Sequence, residues 1–492
     1  MKTYEPGNKD LSKDEYEQKL EVLRPKILNA HFAMRKSKSP VIVVISGVEG
    51  AGKGEVIHAL NEWLDPRGTE THSFWLATED ERRRPTFWRF NRALPARGRV
   101  GILFGSWYTD PIVQRVGGGV KRKQFHAQLE AIQSYEEMLA LDGAVFLKLW
   151  FHISKKSMKK RLNEIEENPE LHWHVLPQRK KLEATYDEFR EVSNEALVAT
   201  DGPLAEWHFV DSECDRFRNL TVAQLLLKAL ESAGAVKPKG TAAPTRSAPA
   251  IPAVVSRLNS VDLEKKLSDT EYDLLLPKYQ NKLLRLSWRM FEQRRSLLAV
   301  FEGWDAAGKG GAIRRVTGAL DPRLYQVIGF AAPSDEERAQ HYLWRFWRHL
   351  PVSGQTTIFD RSHYGRVLVE RVEGFARPDE WGRAYDEINE FEKHLAEGNY
   401  SIAKFWLHIS PEEQLRRFKE RERVSYKNYK ITDEDWRNRD KWPAYESAVE
   451  EMLARTDTDI APWTVVPATD KRLARITVLK TLCRTLEAAL KV

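Results

Sequence analysis

The chain has 492 residues, 42% hydrophobic and 30% charged, with 78 Lys and Arg against 71 Asp and Glu, hence a formal net charge of +7. This composition suits a soluble globular protein with room for two to four domains, and it excludes a membrane-spanning chain, because no apolar run approaches ~18 residues. Two cysteines, Cys214 and Cys483, fit neither a disulfide framework nor a metal site, and Met1 to Pro6 lacks a secretory apolar core, so a cytoplasmic protein is expected.

The first predicted element is a charged, periodic helix within residues 7–38. Val41–Ile45 reads as a buried strand and runs into Gly47-Val48-Glu49-Gly50-Ala51-Gly52-Lys53-Gly54. Strand, glycine-rich turn and helix start form the setting of a phosphate-binding loop, where backbone N–H groups ring an anion and a lysine reaches over it. The first domain is placed at residues 1–232, with the loop-bearing part from 41. Residues 233–256 are rich in Ala and Pro and read as a semi-rigid linker.

The second domain is placed at 257–492, led by a helix at roughly 263–295 that mirrors residues 12–36. Leu297–Phe301 is a predicted strand, followed by a second loop, Gly303-Trp304-Asp305-Ala306-Ala307-Gly308-Lys309-Gly310. Strands are then predicted at Tyr325–Phe330, Thr356–Phe359, Tyr400–His408 and Trp463–Pro467. Helices are predicted at Ala339–His349, Glu380–Glu397, Glu412–Arg423 and the C-terminus. This alternation implies an α/β fold: tandem P-loop kinase-like domains, each a parallel sheet flanked by helices, with a helical lid. Ligands in such sheets bind at the carboxyl ends of the strands.

Gly303 lies 256 residues after Gly47, and the same offset aligns Leu64-Asp65-Pro66 with Leu320-Asp321-Pro322, Trp88-Arg89-Phe90 with Trp344-Arg345-Phe346, and His152-Ile153-Ser154 with His408-Ile409-Ser410. Such a long period marks two duplicated domains, since solenoid repeats run to ~20–50 residues.

The two copies differ where chemistry would sit. Gly310 stands where a P-loop usually places a metal-binding Ser or Thr, so Asp305 is the substitute oxygen ligand. Asp360, at the end of the third strand, is the second expected Mg²⁺ anchor, and Arg361 and Arg366 can clamp phosphate oxygens with forked geometry. In the first copy Phe104 replaces Asp360, Gly105 replaces Arg361 and Glu49 replaces Asp305. A phenyl ring binds no metal, so the first copy reads as catalytically degenerate. Arg416–Arg423, with Lys427 and Lys430, forms a basic segment where phosphotransferases carry a lid. Trp344, Phe346, Trp347 and His408 read as core side chains.

On these motifs the second half resembles the type-2 polyphosphate kinases, through Gly-Trp-Asp-Ala-Ala-Gly-Lys-Gly-Gly (303–311), Leu-Trp-Arg-Phe (343–346), Phe-Asp-Arg-Ser-His-Tyr-Gly-Arg (359–366) and Asp-Lys-Arg-Leu-Ala-Arg (470–475). The tandem arrangement resembles the two-domain class, the polyphosphate:AMP phosphotransferases. The resemblance implies phosphorylation of AMP to ADP with inorganic polyphosphate as donor and Mg²⁺ as cofactor. It implies Asp305 and Asp360 as metal ligands, and Gly303, Gly308, Gly310, Lys309, Arg361 and Arg366 around the phosphates. Arg421, Lys427 and Lys430 would belong to the lid, and Asn389 and Glu392 would lie near the nucleotide. A polyanionic donor accounts for the basic charge. Neither nucleic acid nor membrane is expected as a partner, and a homo-oligomer stays open. Two other readings compete: an ATP-dependent nucleoside monophosphate kinase, and the same polyphosphate reaction on ADP or GDP. A non-catalytic P-loop switch or nucleic-acid-binding protein is disfavoured by the lack of an Asn-Lys-x-Asp motif.

Overall fold

The computed structural model describes residues 11–74, 77–167, 179–235, 256–423 and 433–490. The described residues fall into two compact units, one within Met1–Ala77, Arg89–Lys239 and Ala339–His341, the other within Thr78–Trp88, Gly240–Arg338 and Tyr342–Val492.

The first unit holds five strands: β1 (Val41–Gly47), β2 (Thr69–Ser73), β3 (Val100–Phe104), β4 (Val145–His152) and β5 (Trp207–Asp211). They pair in parallel in the order β2-β3-β1-β4-β5. The second unit repeats this with β6 (Ser296–Gly303), β7 (Tyr325–Gly329), β8 (Thr356–Asp360), β9 (Tyr400–His408) and β10 (Trp463–Pro467), in the order β7-β8-β6-β9-β10. The central strands β1, β4, β6 and β9 are buried along nearly their whole length, which is why they read as continuous apolar runs.

The leading helices run from Lys13 to Met34 and from Asp269 to Glu292, shorter than the charge pattern suggests. Each starts at a capping box, Ser12 with Glu15 and Ser268 with Glu271, again 256 residues apart. Each packs on the last helix of its own unit, Asp215–Ala235 or Lys471–Leu490.

Two expectations need correction. The helix predicted at Ala339–His349 shrinks to the single turn Trp344–Trp347. Trp344, Phe346 and Trp347 are buried, so their apolar character reflects core packing and not helical period. Of the linker placed at 233–256, Ala233-Gly234-Ala235 instead complete a helix, and residues 236–255 lie outside the described residues. Among the described residues no helix is long and apolar enough to cross a membrane.

Candidate active site

The second loop forms where β6 stops. Gly303 has φ +144, and a Cβ there would stand 2.6 Å from the Leu407 carbonyl oxygen, so only glycine lets β6 turn beside β9. Gly308, at φ +109, caps the helix Lys309–Thr317 in the left-handed region. That leaves the helix N–H groups facing the loop. Lys309 Nζ folds over the loop and donates to the Gly303 carbonyl at 2.7 Å. A Cβ at Gly310 would meet nothing within 4 Å, so no packing excludes a hydroxyl residue there.

Parallel pairing of β6 with β8 sets Phe301 opposite Asp360, which brings the two strand ends together. Asp305 Oδ1 lies 3.7 Å from Arg361 Nη2, and Asp305 Oδ2 accepts from Asn438 Nδ2 at 3.1 Å. Asp305, Lys309, Asp360 and Arg361 therefore share one strand-end cluster. Next to Asp305 in the chain, Trp304 stacks on Trp442 with centroids 3.7 Å apart, and Trp304 Nε1 donates to Nδ1 of buried His408 at 3.0 Å.

Two non-glycine residues of this cluster have left-handed backbones, Ala306 at φ +62 and Arg361 at φ +64. Their counterparts in the first unit are Gly50 and Gly105, both at φ +75. At these two positions backbone strain is thus held in the second unit, while glycine relieves it at the counterparts in the first. Beside Arg361 lies a group that sequence reasoning missed. Glu302, on β6, is buried and accepts from Ser362 Oγ at 2.7 Å. Burial pushes its carboxyl above the ordinary range, against the pull of Ser362, Lys309 and Arg361. Its counterpart is Ser46, and that exchange at the same offset is the signal that could have found it.

The remaining expected site residues are dispersed. Arg366 turns toward Glu370, Nε to Oε2 3.2 Å, and lies 4.5 Å from the Tyr342 ring. Asn389 Nδ2 donates to the Arg455 carbonyl at 3.0 Å. Lys427 and Lys430 lie outside the described residues. Glu392 is a correction: it is 1% exposed and paired with Lys404 at 2.8 Å, and it accepts from Tyr364 Oη at 2.7 Å. The first unit repeats this network with Glu136, Lys148 and Tyr108. A carboxylate so enclosed, and present in both copies, fastens the core and does not face a nucleotide.

The basic segment also divides. Arg417 is 3% exposed, and its guanidinium donates to the carbonyls of Ala306, Ala307, Ala468 and Thr469. Arg161 braces the first loop likewise through the Gly50 and Ser212 carbonyls. Arg421 instead lines a cleft of about 240 Å³ beside Gly308 and Gly311, where it joins Arg417, Lys471 and Arg475. Small residues, Gly311 and Ala474, keep that cleft open. Their counterparts are Glu55 and Arg218, which close an ion pair of 2.6 Å, and a Cβ on Gly52 would collide with Arg218 Nη1. The first unit therefore fills the space that the second leaves open.

The first unit's own chamber, about 340 Å³, keeps Lys53 but is walled by Phe104, Trp150, Tyr186 and Phe189. Lys53 donates to the Gly47 and Val48 carbonyls at 2.9 and 3.1 Å and pairs with Glu49.

Comparison with known proteins matches residues 10–238 and again 266–492 to the family described as polyphosphate kinase 2. A protein of Pseudomonas aeruginosa named polyphosphate:AMP phosphotransferase is 48% identical over 484 residues, covering 98% of this chain and 97% of that one. One of the same name from Pseudomonas syringae pv. tomato is 46% identical, covering 97% and 96%. A crystal structure described as a polyphosphate kinase 2 of Pseudomonas aeruginosa superposes with a TM-score of 0.87 at 46% identity, covering 98% of this chain and 97% of that one.

Proposed function

This chain belongs to the polyphosphate kinase 2 family, and we propose that its second unit transfers the terminal phosphoryl group of inorganic polyphosphate to AMP, giving ADP. The observation that carries this reading is the cleft beside Gly308. Four cationic side chains, Arg417, Arg421, Lys471 and Arg475, line it against one carboxylate, Glu420, and no aromatic ring lines it among the described residues. Such walls suit a linear polyanion better than the adenine of ATP, which stacks on aromatic or apolar surfaces. The full-length relatives, which carry this activity in their names, support the same choice.

The acceptor is a phosphate oxygen, already anionic at neutral pH, so transfer needs no general base. The work is alignment and charge neutralisation. The loop N–H groups and Lys309 draw charge from the donor phosphate. Arg361 neutralises its exposed oxygens from the adjoining strand end.

Asp305 and Asp360 are the residues that would hold Mg²⁺. No group of three His, Cys, Asp or Glu side chains forms a metal cage among the described residues. Two carboxylates completed by phosphate oxygens and water are the usual donor set of Mg²⁺, so the residues present fit the ion. Bound there, it would offset negative charge on the reacting phosphates. Catalysis is assigned to the second unit because Phe104 and Gly105 replace Asp360 and Arg361 in the first. The free thiols Cys214 and Cys483 suit a reducing cytoplasm.

The test is product analysis with purified protein, Mg²⁺ and AMP, comparing long-chain polyphosphate with ATP. ADP formed with polyphosphate alone is expected. ADP formed only with ATP would overturn the reading.

A further inference from the structure

β6 buries a carboxylate that the transfer described above does not use. Glu302 is 6% exposed, and its Oε1 accepts from Ser362 Oγ at 2.7 Å. Ser362, also buried, caps the turn His363–Arg366, its Oγ accepting from the Tyr364 N–H at 3.3 Å. One residue earlier, the Arg361 N–H donates to the Phe301 carbonyl at 3.1 Å. Arg361 is therefore tied on both sides to consecutive residues of β6, Phe301 and Glu302. Its φ of +64 is costly for a residue with a Cβ, and such a conformation persists where surrounding contacts over-determine it.

The first unit supplies an internal control. Its fold keeps the serine, as Ser106, whose Oγ accepts from the Tyr108 N–H at 3.4 Å. It has Ser46 in place of Glu302, and Gly105 in place of Arg361. The carboxylate and the strained arginine are absent together, while the serine cap remains. The turn itself thus forms without a carboxylate.

We propose that Glu302 is a positioning residue: through Ser362 it holds the backbone of Arg361 in the left-handed conformation that points the guanidinium at the phosphates. This rests on the assignment of phosphoryl transfer to the second unit.

The test is a double-mutant cycle of Glu302→Ser and Arg361→Gly, which bring in the residues that the first unit already accommodates. Glu302→Ser alone should lower kcat about 10- to 100-fold, with KM for AMP changed by less than about threefold. In the Arg361→Gly background the same change should lower kcat by less than about twofold, because both act as one unit. Ser362→Ala should reproduce Glu302→Ser. Glu302→Gln, which keeps an acceptor oxygen, should restore most of the rate. Losses that multiply in the double variant, or a Glu302→Ser enzyme within about twofold of the parent, would overturn the proposal. Rates are read with whichever donor the parent chain uses, so a wrong donor leaves the cycle intact. If no donor supports turnover, the cycle is read in melting temperature. Glu302→Ser must then lower it in the parent background and not in the Arg361→Gly background, and equal shifts overturn the idea.

Discussion

Replacing Lys404 with Met isolates the buried charge network under the turn that carries Arg361. Lys404 is fully buried, and its Nζ donates to Tyr364 Oη at 2.8 Å, Glu392 Oε2 at 2.8 Å and the Thr456 carbonyl at 2.7 Å. Methionine roughly fills the volume but leaves Glu392 buried without its counter-charge. Breaking one side of a buried pair costs about 3–5 kcal/mol. The Thr456 carbonyl, stripped of this donor, adds about 1–3 kcal/mol. Domains of this size hold roughly 5–15 kcal/mol in total, so the second unit approaches its threshold. At about 2–4 °C per kcal/mol, its melting transition should fall by roughly 8 °C or more. The double variant Lys404→Met/Glu392→Leu removes both charges and should recover part of the loss, the Thr456 carbonyl and Tyr364 Oη staying without their partners.

Acid supplies a second reading of the same network. Burial raises the Glu392 carboxyl, but Lys404 and the hydrogen bond with His363 more than offset this and hold it below its ordinary 4.5. A depressed carboxylate contributes stability above its unfolded pKa and loses it as pH falls through the folded one. In Lys404→Met the carboxylate loses its main charge partner and burial raises it instead, so the gap between variant and parent should narrow toward pH 4.5. Thermal denaturation followed by circular dichroism at several pH values measures all of this. A single variant that costs under about 1 kcal/mol, or a double variant no better than the single, would refute the reasoning. Glu392→Gln should leave KM for AMP unchanged, whereas a nucleotide contact would raise it.

Three further outcomes are expected. Lys309→Ala should lower kcat about 10²–10³-fold, while Lys53→Ala should leave it within about twofold; equal losses in a steady-state assay would place catalysis in both units. Gly311→Glu with Ala474→Arg copies the Glu55–Arg218 pair into the open cleft. It should raise KM for polyphosphate on the order of tenfold, the equivalent of about 1.4 kcal/mol, and spare KM for AMP, whereas an unchanged polyphosphate KM would remove the cleft from the donor path. His408 accepts at Nδ1 from Trp304, and burial pulls its pKa from 6.5 to about 4. Its contribution is therefore present above pH 6.5 and lost as pH falls toward 4. His408→Gln should flatten that acid limb in urea unfolding, and an equal slope in both proteins would dismiss the assignment.

Much of this protein was legible in the chain itself. Val41–Ile45 and Leu297–Phe301 announce buried parallel strands because helices cover both faces of the sheet. Gly303 and Gly308 announce the loop because their backbone angles admit little else. The exchange of Asp360 for Phe104 sets the two copies apart, because a carboxylate replaced by a phenyl ring is a difference of side-chain identity alone. These are local properties, or properties of two aligned positions, and sequence by itself decides them. Contacts between distant segments are different. Glu302 meets Ser362 across 60 residues, Arg417 meets Ala307 across 110, and Arg218 meets Glu55 across 163. Each crosses parallel strands joined by long connections, so no short-range pattern records the pairing. Glu392 shows the consequence, since its sequence position looks like part of a site. Only the packing of its helix, Pro378–Glu397, against β9 turns its carboxylate to Lys404 and into the core.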